Sequence, residues 1–194
     1  NHFDYSFELE KTLEENGKTE LLKVVDDISR LANIYYVRQK KPLGLGHAIG
    51  CAEAFIGNEP FMLTYGDGVS DVNIKELVEF HKKSKTKSTI TAIQPAGRFG
   101  ALDINSNLVN EFIEKPAGDG NWINGGFMIC EPEILDLIES DETVFEQYPL
   151  QTLAKTGQLS AYKHNGFWQC MDTLRDKIYL NDLWEKNKAP WKVW

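Results

Sequence analysis

Phe61-Met62-Leu63-Thr64-Tyr65-Gly66-Asp67-Gly68 is the stretch on which the reading of the fold turns. An apolar run ends abruptly in a carboxylate set between two glycines. Phe, Met, Leu and Tyr arriving together, and closed by a turn signal, predict a buried strand. In an open α/β sheet ligands gather at the carboxyl ends of the strands, which aims Asp67 where chemistry would occur. The flanking glycines carry no side chain and let a phosphate or a metal approach the backbone. A tight turn with a solvated Asp is the alternative that this stretch alone leaves open.

Upstream, Asp4 caps an expected helix through Phe7, Leu9 and Leu13 that Asn16-Gly17 stops. Thr19 starts a second, with Leu21, Leu22, Val24, Val25 and Ile28 on its apolar face. Ile34-Tyr35-Tyr36-Val37 reads as a strand, and Lys40 to His47 as a glycine-bearing loop entering a helix over 47–55. Such a loop can offer backbone N–H groups to an anion or a base edge, although plain turn chemistry explains it equally.

Downstream, Asp71 or Asn73 opens a helix ending in the lysines of 82–87. Strands are predicted over 88–94 and 108–114, with a glycine turn at 97–100 before a short strand. A further strand over 121–130 is interrupted by Asn124-Gly125-Gly126, a pattern for a bulge or a close ligand. Helices over 133–139 and 148–155, a strand over 159–162 and a closing helix from Thr173 to about Asn187 complete the chain. Between the last two, Gly166 to Asp172 brings a second carboxylate out of an aromatic turn. Strand–helix alternation followed by clustered strands predicts an α/β domain with a mixed sheet.

The chain has 194 residues, enough for one such domain without staples, and 42% hydrophobic residues is ordinary for a globular protein. A formal charge of −8 argues against nucleic acid as a partner. No apolar run approaches the roughly 20 residues that span a bilayer, so no membrane partner is expected. Cys51, Cys130 and Cys170 are odd in number and far apart, which predicts reduced thiols in a cytoplasm. The aromatic tail Ala189 to Trp194 is too apolar to dangle and is expected to pack on the domain or on a partner, a homo-oligomer included. Opening on Asn1, the chain reads as a segment of something longer or as a processed form.

Taken together, the ends of these elements suggest a constellation. Asp67 and Asp172 could share a magnesium ion, which prefers a couple of carboxylates plus water and phosphate oxygens. Lys115 could grip a phosphate and Glu114 accept sugar hydroxyls. Gly100, Gly125 and Gly126 would let a sugar ring lie against the backbone. Transfer of a nucleotidyl group to a sugar phosphate needs this set, because two anions must be brought together and the charge at the α-phosphate neutralised. Solvated residues at strand ends are the alternative.

A resemblance sharpens the choice. Tyr65-Gly-Asp-Gly, Gly97-Arg-Phe-Gly-Ala-Leu-Asp, Glu114-Lys-Pro, Ile123-Asn-Gly-Gly-Phe, Phe167-Trp-Gln, Met171-Asp-Thr-Leu-Arg-Asp-Lys and Lys188-Ala-Pro-Trp-Lys occur in order. From about residue 61 to 194 the chain resembles the bacterial glucose-1-phosphate cytidylyltransferases. The resemblance implies a Rossmann-like sugar nucleotidyltransferase fold, magnesium at Asp67 and Asp172, and the sugar phosphate on Lys115. It also implies glucose contacts near Gly100, Glu114 and Asn124.

Residues 1–60 are similar instead to the UTP–glucose-1-phosphate uridylyltransferases, through Asn1-His-Phe-Asp-Tyr-Ser-Phe-Glu-Leu-Glu, Tyr36-Val-Arg-Gln and Gly44-Leu-Gly-His-Ala. In that family the matching Gln and Gly contact the uracil base, which implies base contacts at Gln39 and Gly44. The chain therefore reads as one nucleotidyltransferase domain spliced near residues 59–62. Both families open with a Gly-Gly-x-Gly-Thr-Arg loop and a Pro-Lys-Pro segment, and residues 1–60 show neither. The expected activity is transfer of CMP from CTP to glucose-1-phosphate, or of UMP from UTP. A sugar-phosphate-binding domain without turnover is the alternative from a different class.

Overall fold

The computed structural model describes residues 7–30, 32–95, 101–105, 108–113 and 121–193. These fall into two compact units, residues 1–40 and 41–194.

In the first unit, α1 (Phe7–Glu15) packs on α2 (Thr19–Ser29). The turn between them is a left-handed stop. Gly17 has φ +64, and Lys18 N–H reaches back to the Leu13 carbonyl at 2.9 Å. The strand expected at Ile34–Val37 does not form. Those residues pair with no other strand among the described residues, and Tyr35 is 70% exposed. β-branched and aromatic residues favour strands only when a neighbouring strand and a buried face receive them, and among the described residues neither does so here.

The second unit begins with α3 (Leu45–Ile56), then β1 (Phe61–Thr64) and β2 (Gly68–Ser70). α4 (Ile74–Ser84), β3 (Ser88–Ile93), β4 (Ala101–Asn105), β5 (Leu108–Ile113) and β6 (Ile123–Cys130) follow. A short 3-10 helix (Pro132–Leu137) stands where a longer α-helix over 133–139 was expected. α5 (Tyr148–Lys155), β7 (Leu159–His164), β8 (Trp168–Cys170) and α6 (Leu174–Glu185) close the chain. The main sheet has the order β1-β6-β3-β7, while β2 pairs with β8 and β4 with β5 as two-stranded ladders.

β6 is antiparallel to both β1 and β3, and β7 is parallel to β3. Hence β1, β3 and β7 run the same way, and their carboxyl ends share one edge of the domain with the amino end of β6. The sheet is mixed, as expected. β1, read from sequence as buried, is instead an outer strand of this sheet. Its Met62 is 61% exposed, while Phe61 and Leu63 pack on the core. Apolarity on both faces is a pattern that periodicity cannot separate from an interior strand.

The core lies between the sheet and the helices around it. Met128 and Cys130 of β6 meet Ile49 of α3, Ile134, Phe145, and Leu150 and Leu153 of α5. Against the sheet, α4 places Leu77, which is buried, and His81. The Asn73 side chain caps α4 by accepting from Lys75 N and Glu76 N. His81 then bridges elements, with Nδ1 at 2.7 Å from Thr89 Oγ1 and Nε2 at 3.1 Å from Glu131 Oε1. Thr89 Oγ1 meets Ser160 Oγ of β7 at 2.6 Å and Ser88 Oγ donates to the Ile129 carbonyl of β6 at 3.1 Å, so these two buried hydroxyls of β3 are satisfied laterally, whereas Thr91 Oγ1 is buried with no hydrogen-bond partner among the described residues.

Of the apolar tail, Trp191 packs on the domain, whereas Val193 is 80% exposed. The rings of Trp191 and Phe167 lie 5.3 Å apart. None of the three cysteines is in a disulfide. No helix among the described residues is long and apolar enough to cross a membrane.

Candidate functional site

The shared edge of the sheet is where the predicted carboxylates emerge. Asp67 follows β1, and Asp172 follows β8. In the β2–β8 ladder Gly68 faces Cys170, and one step further Met171 N–H donates to the Asp67 carbonyl at 2.8 Å. The ladder therefore delivers both aspartates to the same end. Position 172 is also held from the other side. Thr173 and Asp176 form a reciprocal capping box at the start of α6, and Gln169 Nε2 donates to Asp176 Oδ1 at 3.0 Å. Both Asp67 and Asp172 are exposed.

A second group of side chains stands beside them. Tyr65 donates its hydroxyl to Glu146 Oε1 at 3.1 Å, and Asn124 Nδ2 donates to the same hydroxyl at 3.1 Å. The other end of that amide, Asn124 Oδ1, accepts from Gly126 N–H at 2.8 Å. Burial, then the Glu146 carboxylate and to a lesser degree Asp67, push the Tyr65 phenol up to about 12. It is therefore a neutral hydrogen-bonding group at any physiological pH. The Cys170 thiol is likewise raised, by burial first and then by the neighbouring Asp172 carboxylate.

Gly125 and Gly126 sit in an irregular part of β6, where two steps along β3 from Ile90 to Ala92 match four along β6 from Met128 to Asn124. The expected bulge is present, and the reason for glycine is internal. A side chain at 125 would press on Ile93 at 3.0 Å, and one at 126 on the Tyr65 ring at 3.0 Å. Gly126 also has φ +79, which other residues rarely adopt. The space these glycines leave is filled by the protein's own Ile93 and Tyr65. Over the bulge, Trp168 Nε1–H donates to the Gly125 carbonyl at 2.8 Å.

The structure thus brings Asp67, Asp172, Asn124, Gly125 and Gly126 to one neighbourhood. Gly44 precedes α3 with φ +93, a conformation that itself calls for glycine. Gln39 belongs to the first unit and is half-buried. Gly100, Glu114 and Lys115 lie outside the described residues. Sequence reasoning missed Tyr65, Glu146 and Trp168 as functional candidates. In sequence Tyr65 reads only as strand-forming bulk, and Glu146 is 81 residues away from it with no local signal.

A cavity of about 410 Å³ opens beside this group at the carboxyl ends of β3 and β7, lined among others by Gln94, His164, Trp168 and Tyr179. Neither aspartate lines it. On its wall His164 Nε2 lies 2.9 Å from Asp71 Oδ1 and 3.3 Å from Ser70 Oγ. One ring nitrogen serves both partners, whereas a nucleophile relay needs one partner on each, so this trio is not a Ser–His–Asp triad.

Among the described residues no cluster of three or more His, Cys, Asp or Glu side chains is disposed to hold a metal ion. An ion at Asp67 and Asp172 would complete its shell with water and substrate oxygens. That oxygen-only, two-carboxylate donor set suits magnesium.

Comparison with known proteins decides the family. The nucleotidyl transferase family matches residues 4–181. The chain belongs to this family. A nucleotidyl transferase relative, the glucose-1-phosphate cytidylyltransferase of Salmonella typhimurium, is 57% identical over 143 residues, 74% of this chain and 56% of that protein. The UTP–glucose-1-phosphate uridylyltransferase of Bacillus subtilis is 40% identical over 157 residues, 73% of this chain and 53% of that protein. The second likeness therefore reaches well beyond residue 60. Among solved structures, a UDP-glucose pyrophosphorylase from Acinetobacter baumannii superposes with a TM-score of 0.71 at 25% identity. That match covers 98% of this chain and 74% of the other. The mixed α/β fold is thus that of the nucleotidyl transferases, and the chain spans little more than half the length of the two relatives.

Proposed function

We propose that the chain carries the site of a glucose-1-phosphate nucleotidyltransferase that uses CTP, within a single nucleotidyltransferase domain. The observation that carries this reading is the 57% identity to a glucose-1-phosphate cytidylyltransferase across 74% of the chain. The placement of Asp67 and Asp172 at one end of the β2–β8 ladder supports it.

In this reading a phosphate oxygen of glucose-1-phosphate attacks the α-phosphorus of CTP and pyrophosphate leaves. The attacking oxygen is already ionised, so no general base is required, and catalysis rests on positioning and charge neutralisation. Asp67 and Asp172 would hold magnesium, which when bound neutralises charge developing on the phosphates. Lys115 would bind the sugar phosphate as a compact cation, with Glu114 and Asn124 on the sugar hydroxyls and Gly100 beside the ring. Gln39 and Gly44 would meet the base.

The 40% identity to a uridylyltransferase favours UTP as a second reading. One assay separates them: pyrophosphate release with glucose-1-phosphate and each of CTP, UTP, dTTP and ATP. Release with CTP alone supports the first reading and with UTP alone the second. Binding of glucose-1-phosphate without release under any nucleotide would make the chain a sugar-phosphate-binding domain and overturn both.

A further inference from the structure

Asn124 carries a side-chain amide whose two ends differ chemically, and a half-turn about its last bond would exchange them. In this structure the exchange is blocked by what each end meets. Gly126 N–H can only donate, so the atom facing it at 2.8 Å must be the amide oxygen. The other end meets the Tyr65 hydroxyl at 3.1 Å, and a hydroxyl can donate or accept. That ambiguity is removed by Glu146. An ionised carboxylate can only accept, so the Tyr65 proton is directed at Glu146 Oε1, 3.1 Å away. The oxygen of Tyr65 is left to accept, and the nitrogen of Asn124 must face it. A charge on the loop before α5 thereby reinforces, through Tyr65, the amide polarity that Gly126 N–H sets on β6.

We propose that Tyr65, set by Glu146, is the positioning residue that presents Asn124 to the sugar as one donor and one acceptor in fixed order. Each bond described uses half of what the amide offers. Asn124 keeps one N–H and one oxygen lone pair, of opposite character. Two neighbouring hydroxyls of a pyranose ring match that pair, since each hydroxyl can donate or accept. The ligand class is a vicinal diol of the sugar phosphate, and this rests on the functional reading above. Tyr65 is otherwise well fixed. Its backbone N–H donates to Gly126 O at 3.0 Å, and its ring fills the space over the Gly126 α-carbon.

The test compares the intact chain with Tyr65→Phe, Glu146→Ala and Glu146→Gln. Tyr65→Phe keeps the ring over Gly126 and removes only the hydroxyl. Calorimetry with glucose-1-phosphate and its 2-, 3- and 4-deoxy analogues is expected to show roughly five- to tenfold weaker binding of the parent sugar phosphate in Tyr65→Phe. The penalty for lacking either of two adjacent hydroxyls, present in the unsubstituted chain, should shrink in that variant. Glu146→Gln, which still offers an acceptor, should stay within about twofold, and Glu146→Ala should fall between. Solvent exchange of the Asn124 side-chain amide protons, followed by NMR without ligand, should accelerate in Tyr65→Phe and Glu146→Ala. Equal affinity and equal deoxy-sugar penalties in Tyr65→Phe and the unsubstituted chain would overturn the proposal, as would unchanged amide exchange. An unsubstituted chain that binds no glucose-1-phosphate, yet shows the expected exchange, would overturn the sugar reading and leave the Tyr65–Asn124 contact standing.

Discussion

The indole N–H of Trp168 donates to the carbonyl oxygen of Gly125 at 2.8 Å, so a side chain of β8 ties it to the bulge in β6. Asp172 emerges four residues beyond that tie, and Asn124 one residue before it. This hydrogen bond between two strands that share no ladder therefore adds to the β1–β6 ladder and the Tyr65–Asn124 contact in placing the carboxylate pair relative to the amide.

Trp168→Phe keeps the aromatic bulk and leaves the Gly125 carbonyl without this donor. A loss of about 1 kcal/mol is expected. For a chain of this size that lowers the thermal midpoint by roughly 2–4 °C, read in a melting experiment. Glucose-1-phosphate affinity should fall along with it, because the bulge loosens.

Gly126→Val tests why the bulge is glycine. A branched side chain at φ +79 is strained, and its Cβ would stand 3.0 Å from the Tyr65 ring. The expected cost is about 3 kcal/mol, measured by denaturant unfolding. A variant of unchanged stability that has lost sugar binding would restore the reading in which the glycine admits a ligand.

What was legible in the sequence and what was not divides along physical lines. Helices with their own stop and start signals were read well. Asn73 and Thr173 cap α4 and α6, and Gly17 stops α1, because those interactions span only a few residues. Composition reveals the strands of the main sheet but not their neighbours, and β1 reads as buried although its Met62 is exposed. Ile34–Val37 failed because strand propensity is an expectation about partners. β8 reads from sequence as a turn because its partner among the described residues, β2, lies a hundred residues upstream. At the site, Asp67 and Asp172 stand at strand ends and could be found. Tyr65 and Glu146 could not, since their roles arise from a contact between residues with no common motif.

Asp172→Asn removes one of two hard anionic oxygen donors at an exposed position. Magnesium affinity, followed by calorimetric titration, is expected to drop about tenfold. The melting temperature should stay within about 2 °C, as exposed substitutions usually cost little. An unchanged titration would count against Asp172 as a ligand.

Alkaline pH gives a test of the core. Burial pushes the Cys130 thiol from its ordinary 9.0 up to about 11. Below pH 9 the thiol is protonated whether the chain is folded or not, and it costs nothing. As pH rises from 9 to 11 the unfolded chain ionises first, so the folded state loses up to about 2 kcal/mol across that window. Melting curves at stepped pH should show this loss, and Cys130→Ala should remove that part of it.

The central position of β3 has a consequence for the order of events during synthesis. Its two partners lie at 123–130 and 159–164, so the sheet cannot close around it until residue 164 has been made. Contacts this distant along the chain favour slow folding, because loop entropy must be lost before pairing compensates it. Meanwhile Ser88, Thr89 and Thr91, all buried in the finished sheet, remain free to hydrogen-bond water. A waiting strand half made of hydroxyls is less adhesive than one of Val and Ile would be, which suits it to an exposed interval on the ribosome.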